Sequence, residues 1–183
     1  PTAGKPPTAA PVGVVVLAPE IQTLSTELPG RTAAFQNADI RPQVNGIIQK
    51  RLFTEGALVK AGQPLYQVDP ATYEAAQASA QAALGKAQAT ARTAQVNAKR
   101  NAELVEIDAI SRQVFDESQA AVQQTQADVG VAQAALDTAR INMRYTRIVA
   151  PISGRIGLSA VTAGALVTAN QATALATIQQ MDP

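Results

Sequence analysis

Val44-Asn45-Gly46-Ile47-Ile48 and Thr54-Glu55-Gly56-Ala57-Leu58-Val59-Lys60-Ala61-Gly62-Gln63 return later in the chain as Ile152-Ser153-Gly154-Arg155-Ile156 and Thr162-Ala163-Gly164-Ala165-Leu166-Val167-Thr168-Ala169-Asn170-Gln171. Both pairs keep one offset, 154 − 46 = 108 and 164 − 56 = 108. They are therefore expected to be two copies of one small β unit, with nothing inserted within either copy. The recurring glycines read as tight turns, where φ > 0 carries no steric cost for Gly. In the first copy, Ile40, Val44, Ile47 and Leu52 are strand-like apolar positions, and Pro42 suits an edge or a strand start. Asn45-Gly46 reads as a hairpin dipeptide. Ala61-Gly62-Gln63-Pro64 reads as a second turn before Leu65 to Val68.

Between the copies the pattern changes from period two to helical spacing. Asp69-Pro70 is a helix start, with Asp69 accepting from unpaired N–H groups and Pro70 at the first helical position. From Ala71 the residues are mostly Ala, Gln, Lys, Arg and Glu, all good helix formers. Small or apolar residues recur at Ala80, Leu84, Ala87, Ala91, Ala94 and Ala98, in steps of four and three. After Ser111, an N-cap residue, the same alternation runs through Phe115, Ser118, Val122, Thr125, Val129, Ala132, Leu136, Ala139 and Met143. Two heptad seams joined by the short break at Glu106 to Ser111 predict an antiparallel coiled-coil hairpin. Each arm of about 34 residues would reach roughly 50 Å. Gly85 and Gly130 each weaken a helix by about 1 kcal/mol relative to Ala, and tight interhelical contact is the reason expected for them.

Composition removes several classes of function. The 183 residues contain no Cys and no His, so disulfides, thiolate chemistry, zinc sites and His-based catalysis are excluded. No carboxylate pair is accompanied by a nucleophile, a His or a metal set, so no catalytic, cofactor-binding or metal site is assigned. Fifteen basic and 14 acidic residues leave a net charge of +1, too little to draw in nucleic acid. With aromatics at 3% and Ala dominating the apolar count, a large close-packed core is not expected. No apolar run approaches the roughly 18 residues that span a bilayer. Two half-domains around a helical insert point to a spacer or adaptor rather than an enzyme.

Residues 1–11 are Pro, Ala, Thr and Gly with a single charge, and read as a flexible linker. Val12 to Leu17 and Ile21 to Leu28 read as strands, separated by Pro19 and followed by the Pro29-Gly30 turn.

Several stretches resemble a known family. Arg41-Pro42-Gln43-Val44-Asn45-Gly46-Ile47-Ile48, Tyr66-Gln67-Val68-Asp69-Pro70-Ala71-Thr72-Tyr73, Ala139-Arg140-Ile141-Asn142-Met143-Arg144-Tyr145-Thr146 and Ala150-Pro151-Ile152-Ser153-Gly154-Arg155-Ile156-Gly157 are similar to periplasmic adaptor (membrane fusion) proteins of RND multidrug efflux pumps, the AcrA/MexA type. So are Gln171 to Gln180 and Glu27-Leu28-Pro29-Gly30-Arg31-Thr32. The resemblance covers the chain from about Val12 to its end.

It implies an α+β fold: a split lipoyl-like (barrel-sandwich) β domain, residues 37–70 and 145–181, interrupted by an α-helical hairpin at 71–144. Residues 12–36 would supply N-terminal strands of membrane-proximal and β-barrel domains whose remainder lies beyond this chain, so the chain is expected to stop before those parts. The implied role is to join an inner-membrane RND drug/proton antiporter to a TolC-like outer-membrane channel. The implied setting is the periplasm, associated with the inner membrane, as an oligomer, often a hexamer. The family is usually lipid-anchored through an N-terminal Cys, which this sequence does not contain. At the hairpin tip the family docks the channel with an Arg, a Leu four residues later and a Ser seven after that; here the matching residues are Arg100, Leu104 and Ser111.

Two other readings compete. A lipoyl or biotinyl carrier domain shares the fold but needs a Lys at the turn between its halves. Asp69-Pro70 occupies that point here, and Lys50 and Lys60 lie inside the first copy. An adaptor of an ABC-type exporter or secretion system shares the whole architecture.

Overall fold

A computed structural model describes residues 3–4, 7–30 and 33–181, in two units, Pro1–Thr32 and Ala33–Pro183. The described residues of the first unit hold no helix or strand. Val12 to Leu17 and Ile21 to Leu28, expected as strands, instead run irregularly with their side chains exposed. A strand is stable only when its backbone groups are paired and one face is covered, and no described strand pairs with either stretch. Pro1, Thr2, Lys5 and Pro6 of the expected linker, and Arg31 and Thr32 after the Pro29-Gly30 turn, lie outside the described residues.

The second unit contains β1 (Gln36–Ile40), β2 (Gly46–Arg51), β3 (Leu58–Val59), β4 (Pro64–Val68), α1 (Ala71–Glu106), α2 (Arg112–Tyr145), β5 (Arg147–Val149), β6 (Gly154–Ile156), β7 (Leu166–Val167) and β8 (Ala176–Gln180). Two four-stranded antiparallel sheets have the orders β1-β8-β6-β3 and β5-β4-β2-β7. Exchanging each strand of the first copy for its counterpart in the second (β1 for β5, β2 for β6, β3 for β7, β4 for β8) turns one order into the other. Each sheet therefore takes strands from both copies. Neither half can complete a sheet alone, and Gly46 and Gly154 belong to one body.

Hydrogen bonds repeat this pseudo-two-fold. Gly56 N–H donates to Ile156 O at 3.0 Å, and Gly164 N–H donates to Ile48 O at 2.8 Å. Lys60 N–H donates to Gln63 Oε1 at 3.0 Å, matched by Thr168 N–H to Gln171 Oε1 at 3.1 Å. Ala61 N–H donates to Ser153 Oγ at 2.9 Å, and Ala169 N–H to Asn45 Oδ1 at 2.7 Å. Asn45-Gly46 is thus not a hairpin turn. β1 and β2 are unpaired with one another, and Asn45 caps a turn of the other copy instead.

Two different needs select the repeated glycines. Gly56 and Gly164 hold φ of 75° and 91°, and Gly62 at 81° is answered by Asn170 at 55°, the non-Gly residue most at ease there. At Gly46, whose φ of 155° is also one that side chains rarely adopt, and at Gly154 the need is proximity. An added Cβ would lie 2.6 Å from Val68 Cγ1 and 2.5 Å from the Gln179 carbonyl oxygen, respectively.

The uninterrupted register fails after Gln171. Leu52 N–H donates to Leu65 O, while Ala160 N–H donates to Leu175 O. The first residues differ by 160 − 52 = 108 and the second by 175 − 65 = 110, so two extra residues precede β8. The core is built of equivalent pairs: Ile40 and Ile148, Ile48 and Ile156, Val59 and Val167, Leu65 and Leu175, Val68 and Ile178, all buried. Each such side chain contributes about 1.5–3 kcal/mol on burial.

One buried residue departs from the symmetry. Tyr66, where an equivalent β8 position carries Ala176, shares hydrogen bonds with Ser159 Oγ at 2.6 Å and Leu175 O at 3.1 Å. Its ring meets Phe53 edge-on at 5.2 Å. Burial pushes the Tyr66 phenol above its ordinary pKa, against an opposing pull from the Ser159 hydrogen bond.

The insert is an antiparallel pair of helices of 36 and 34 residues. Every seam position read from the sequence, from Ala80 to Ala98 and from Phe115 to Met143, is buried or half-buried. Helix α1 begins one residue later than expected, because Pro70 takes the cap position; Asp69 Oδ1 still accepts from Ala71 N–H at 3.1 Å. Gly85 and Gly130 contradict the expectation of tight contact: a Cβ at either would meet nothing within 4 Å.

Candidate functional site

The hairpin tip is closed by two capping devices. Asp108 N–H donates to Val105 O at 3.1 Å and Ala109 N–H to Leu104 O at 2.9 Å, with Asp108 at φ 54°. That pair of bonds is a Schellman motif, which satisfies the last carbonyls of α1. The left-handed residue is Asp rather than Gly, and the sequence reading missed it. Its signal was weak but present, since Asp tolerates this conformation better than most residues. On the other side, Ser111 has extended backbone and accepts from Val114 N–H at 3.3 Å, as an N-cap does. Both strands of the turn are therefore fixed by the backbone of the helices they join.

This places the three sequence-derived residues at one end of the hairpin. Arg100 is exposed and forms no ion pair among the described residues. Leu104 is half-buried, and its carbonyl is the acceptor that closes the Schellman motif. Ser111 is exposed, with its hydroxyl oxygen engaged at the cap and its hydroxyl hydrogen left to donate. Ile107 at the bend is 72% exposed, an apolar side chain that the sequence reading did not single out. Below the tip, a groove of about 450 Å³ runs between the helices, lined by Thr90, Thr93, Asn97, Asn101 and Ser118. The tip thus offers a guanidinium, a hydroxyl and one exposed apolar residue on a fixed frame. That arrangement suits docking, and it has no nucleophile–base pair to do chemistry.

At the opposite end of the insert, Asp69 Oδ1 also accepts from Gln49 Nε2 at 3.1 Å, so the junction between the halves is tied to β2. Lys50 lies within β2 and Lys60 in the turn after β3, both exposed and neither at that junction. Among the described residues, no helix is long and apolar enough to cross a membrane.

Comparison with known proteins agrees with the sandwich-and-hairpin fold. The profile of the RND MFP barrel-sandwich hybrid domain matches residues 36–179. The chain is 55% identical to "Multidrug resistance protein MexA" of Pseudomonas aeruginosa over 183 residues, 97% of this chain and 43% of that protein. It is 54% identical to "Multidrug efflux pump subunit AcrA" of Escherichia coli K12 over 172 residues, 94% of this chain and 43% of that protein. The chain thus spans less than half the length of these curated relatives. Among solved structures, a MacA–MexA chimeric protein containing the Pseudomonas aeruginosa MexA alpha-hairpin domain matches with a TM-score of 0.54 at 36% identity, covering 80% of this chain and 49% of that one.

Proposed function

The chain belongs to the RND membrane fusion protein family, and from that premise we propose that it is the β-sandwich and hairpin part of a periplasmic adaptor that links an inner-membrane RND drug/proton antiporter to a TolC-like outer-membrane channel. Its work is mechanical. The sandwich holds the hairpin root, the hairpin carries the tip roughly 50 Å outward at 1.5 Å per residue, and the tip meets the channel. Drugs and other xenobiotics are the exported cargo, and several copies, six in the assembled pump, surround the export path next to the inner membrane.

The observation that carries this reading is the tip. Arg100, in α1 six residues before its end, and Ser111, the N-cap of α2, stand exposed near the far end of a pair of 36- and 34-residue helices whose connecting turn is locked by a Schellman motif and an N-cap. Arg100 suits a carboxylate or carbonyl acceptor on the partner, while Leu104 and Ile107 supply apolar area beside it. The test is made in the complete adaptor. Arg100→Asp and Ser111→Asp should each lower drug resistance and reduce cross-linking of the tip to the outer-membrane channel. Wild-type values for both readouts would discard the tip assignment.

A further inference from the structure

β1 and β5 are edge strands, one in each sheet, and they are equivalent under the pseudo-two-fold. Residues of both line a cavity of about 450 Å³ at the root of the hairpin, within the size range of small-molecule sites. The lining repeats at the offset of the two copies: Asp39 with Arg147, Ile40 with Ile148, and Arg41 with Val149, since 147 − 39 = 148 − 40 = 149 − 41 = 108. Ile40 and Ile148 are buried and form an apolar floor, and Tyr145 and Val149 add partly exposed apolar wall.

The charges break this symmetry. Asp39 is engaged within its own copy: its Oδ2 takes Arg41 at 3.2 Å, and its Oδ1 accepts from the Thr177 hydroxyl at 3.2 Å. Arg147, which stands where Asp39 stands in the first copy, therefore has no carboxylate across the cavity. Arg144, from the last turn of α2, joins it in the lining. Neither guanidinium has an ion pair or hydrogen bond among the described residues, and neither does the Tyr145 hydroxyl. Glu74 of α1 borders a neighbouring hollow with both arginines and pairs with neither. Three arginines and one aspartate give the lining a charge of +2, since 3 − 1 = 2, against +1 for the whole chain. Thr146, the single residue between α2 and β5, is buried and fixes the backbone that carries the two free arginines. Its hydroxyl donates to Met143 O at 2.7 Å, and its carbonyl accepts from Val68 N–H at 2.8 Å. A lone exposed arginine needs only water. Two on a fixed backbone, beside an apolar floor and out of range of a carboxylate, present forked donors to an oxyanion.

We propose that this cavity binds a small amphiphilic anion. Its carboxylate, sulfate or sulfonate head lies between Arg144 and Arg147, and its apolar or aromatic body lies over Ile40 and Ile148 against Tyr145. Occupancy bridges α2 to β5 across Thr146, at the joint that sets the hairpin on the sandwich. The site belongs to this chain alone and does not depend on the adaptor reading. It would make the sandwich a ligand-binding element as well as a support.

The probe is anilinonaphthalenesulfonate, an anion on an aromatic body whose fluorescence rises when it leaves water. The full chain should enhance it saturably. Phenylnaphthylamine, the same rings without the sulfonate, should bind about tenfold more weakly, as the loss of a charge-assisted hydrogen bond allows. Arg144→Gln and Arg147→Gln should each weaken the sulfonate about tenfold, with the helical signal and melting transition kept. Arg144→Lys with Arg147→Lys, which keeps the charge, should recover part of that loss. Lys50→Gln with Lys60→Gln removes equal charge from the same sandwich outside the cavity and should leave binding unchanged. Decanoate should displace the probe, and sulfate at equal ionic strength should not. The exposed apolar stretch from Val12 to Leu28 would hold either probe alike, so dependence on the two arginines identifies the cavity. No saturable enhancement, parental affinity in the glutamine variants, an equal loss in the lysine control, equal binding of the uncharged probe, or displacement by sulfate as effective as by decanoate would each overturn the proposal. The tip and the channel enter none of these readouts, so failure of the tip assignment is a separate result.

Discussion

Gly154→Ala isolates the requirement that ties the two copies together. Gly154 lies in β6, whose neighbours Arg155 and Ile156 pair with Gln179 and Ile178 of β8. The backbone at Gly154 is not in the left-handed region, so Ala is conformationally allowed. The obstacle is space: the new methyl would stand 2.5 Å from Gln179 O, 2.9 Å from Gln179 C and 3.1 Å from Gln180 N. All three atoms are backbone, and β8 is held on its other side by five register pairs with β1. No side chain can swing aside, so β6 must move away from β8. Overpacking of this kind costs about 1–3 kcal/mol, and loosening a ladder hydrogen bond adds about 1 kcal/mol. Urea unfolding followed by tyrosine fluorescence, which reports buried Tyr66, should show a loss of about 2–4 kcal/mol by that sum. A variant within about 0.5 kcal/mol of the parent, the scale of an indifferent surface change, would refute the reasoning.

Three further outcomes follow from the same geometry. Gly85→Ala and Gly130→Ala, where a Cβ meets only open space, should each stabilise the hairpin by about 1 kcal/mol in a helical-signal melt; a loss would mean the sites are crowded. Ser111→Ala should cost about 1 kcal/mol through the lost N-cap, while Asp108→Gly should be neutral or stabilising because φ is 54° there; the same melt reads both. Tyr66 holds its proton more tightly when folded than a tyrosine with the ordinary pKa of 10.0, so unfolding releases it as pH climbs past that value. The stability this provides is complete below about pH 10 and is lost as pH rises through the raised pKa. Tyr66→Phe should therefore lower stability by about 1 kcal/mol near neutral pH and flatten the alkaline decline in urea midpoints; an unchanged alkaline slope would remove Tyr66 as its source.

Local pattern carried much of this fold, and partner choice did not. The heptad seam was legible residue by residue because helix periodicity and burial are the same fact seen twice: the small residue at Ala91 or Ala98 is there because another helix is close. Repetition at one offset revealed two copies of a β unit. It did not reveal that the copies trade strands, since a β-strand's sequence does not name its neighbour. For the same reason Asn45-Gly46 looked like a hairpin, when Asn45 caps Ala169 from 124 residues away. The two-residue slip before Leu175 escaped notice because Ala and Thr at 172–174 leave no pattern to keep count by. Val12 to Leu28 has the composition of strands, but composition without a pairing partner does not make one. At the tip, Arg100, Leu104 and Ser111 were named by the family resemblance alone, while the N-cap at Ser111 was legible in the residues themselves. The Schellman turn was hidden because Asp108 stands where Gly is usual.

The interlocking of the two copies is tested most directly by a single engineered cross-link. Leu58 of β3 and Arg155 of β6 are register partners, one from each copy, and both are exposed. Residues opposite one another in an antiparallel pair have Cα atoms about 4.5–5.5 Å apart, within the reach of a disulfide. In this Cys-free chain, Leu58→Cys with Arg155→Cys should form an intramolecular disulfide in the monomer under mild oxidation, with the native melting transition kept. Free thiols after oxidation, or disulfides found only between chains, would contradict a sandwich in which each sheet is shared by both halves.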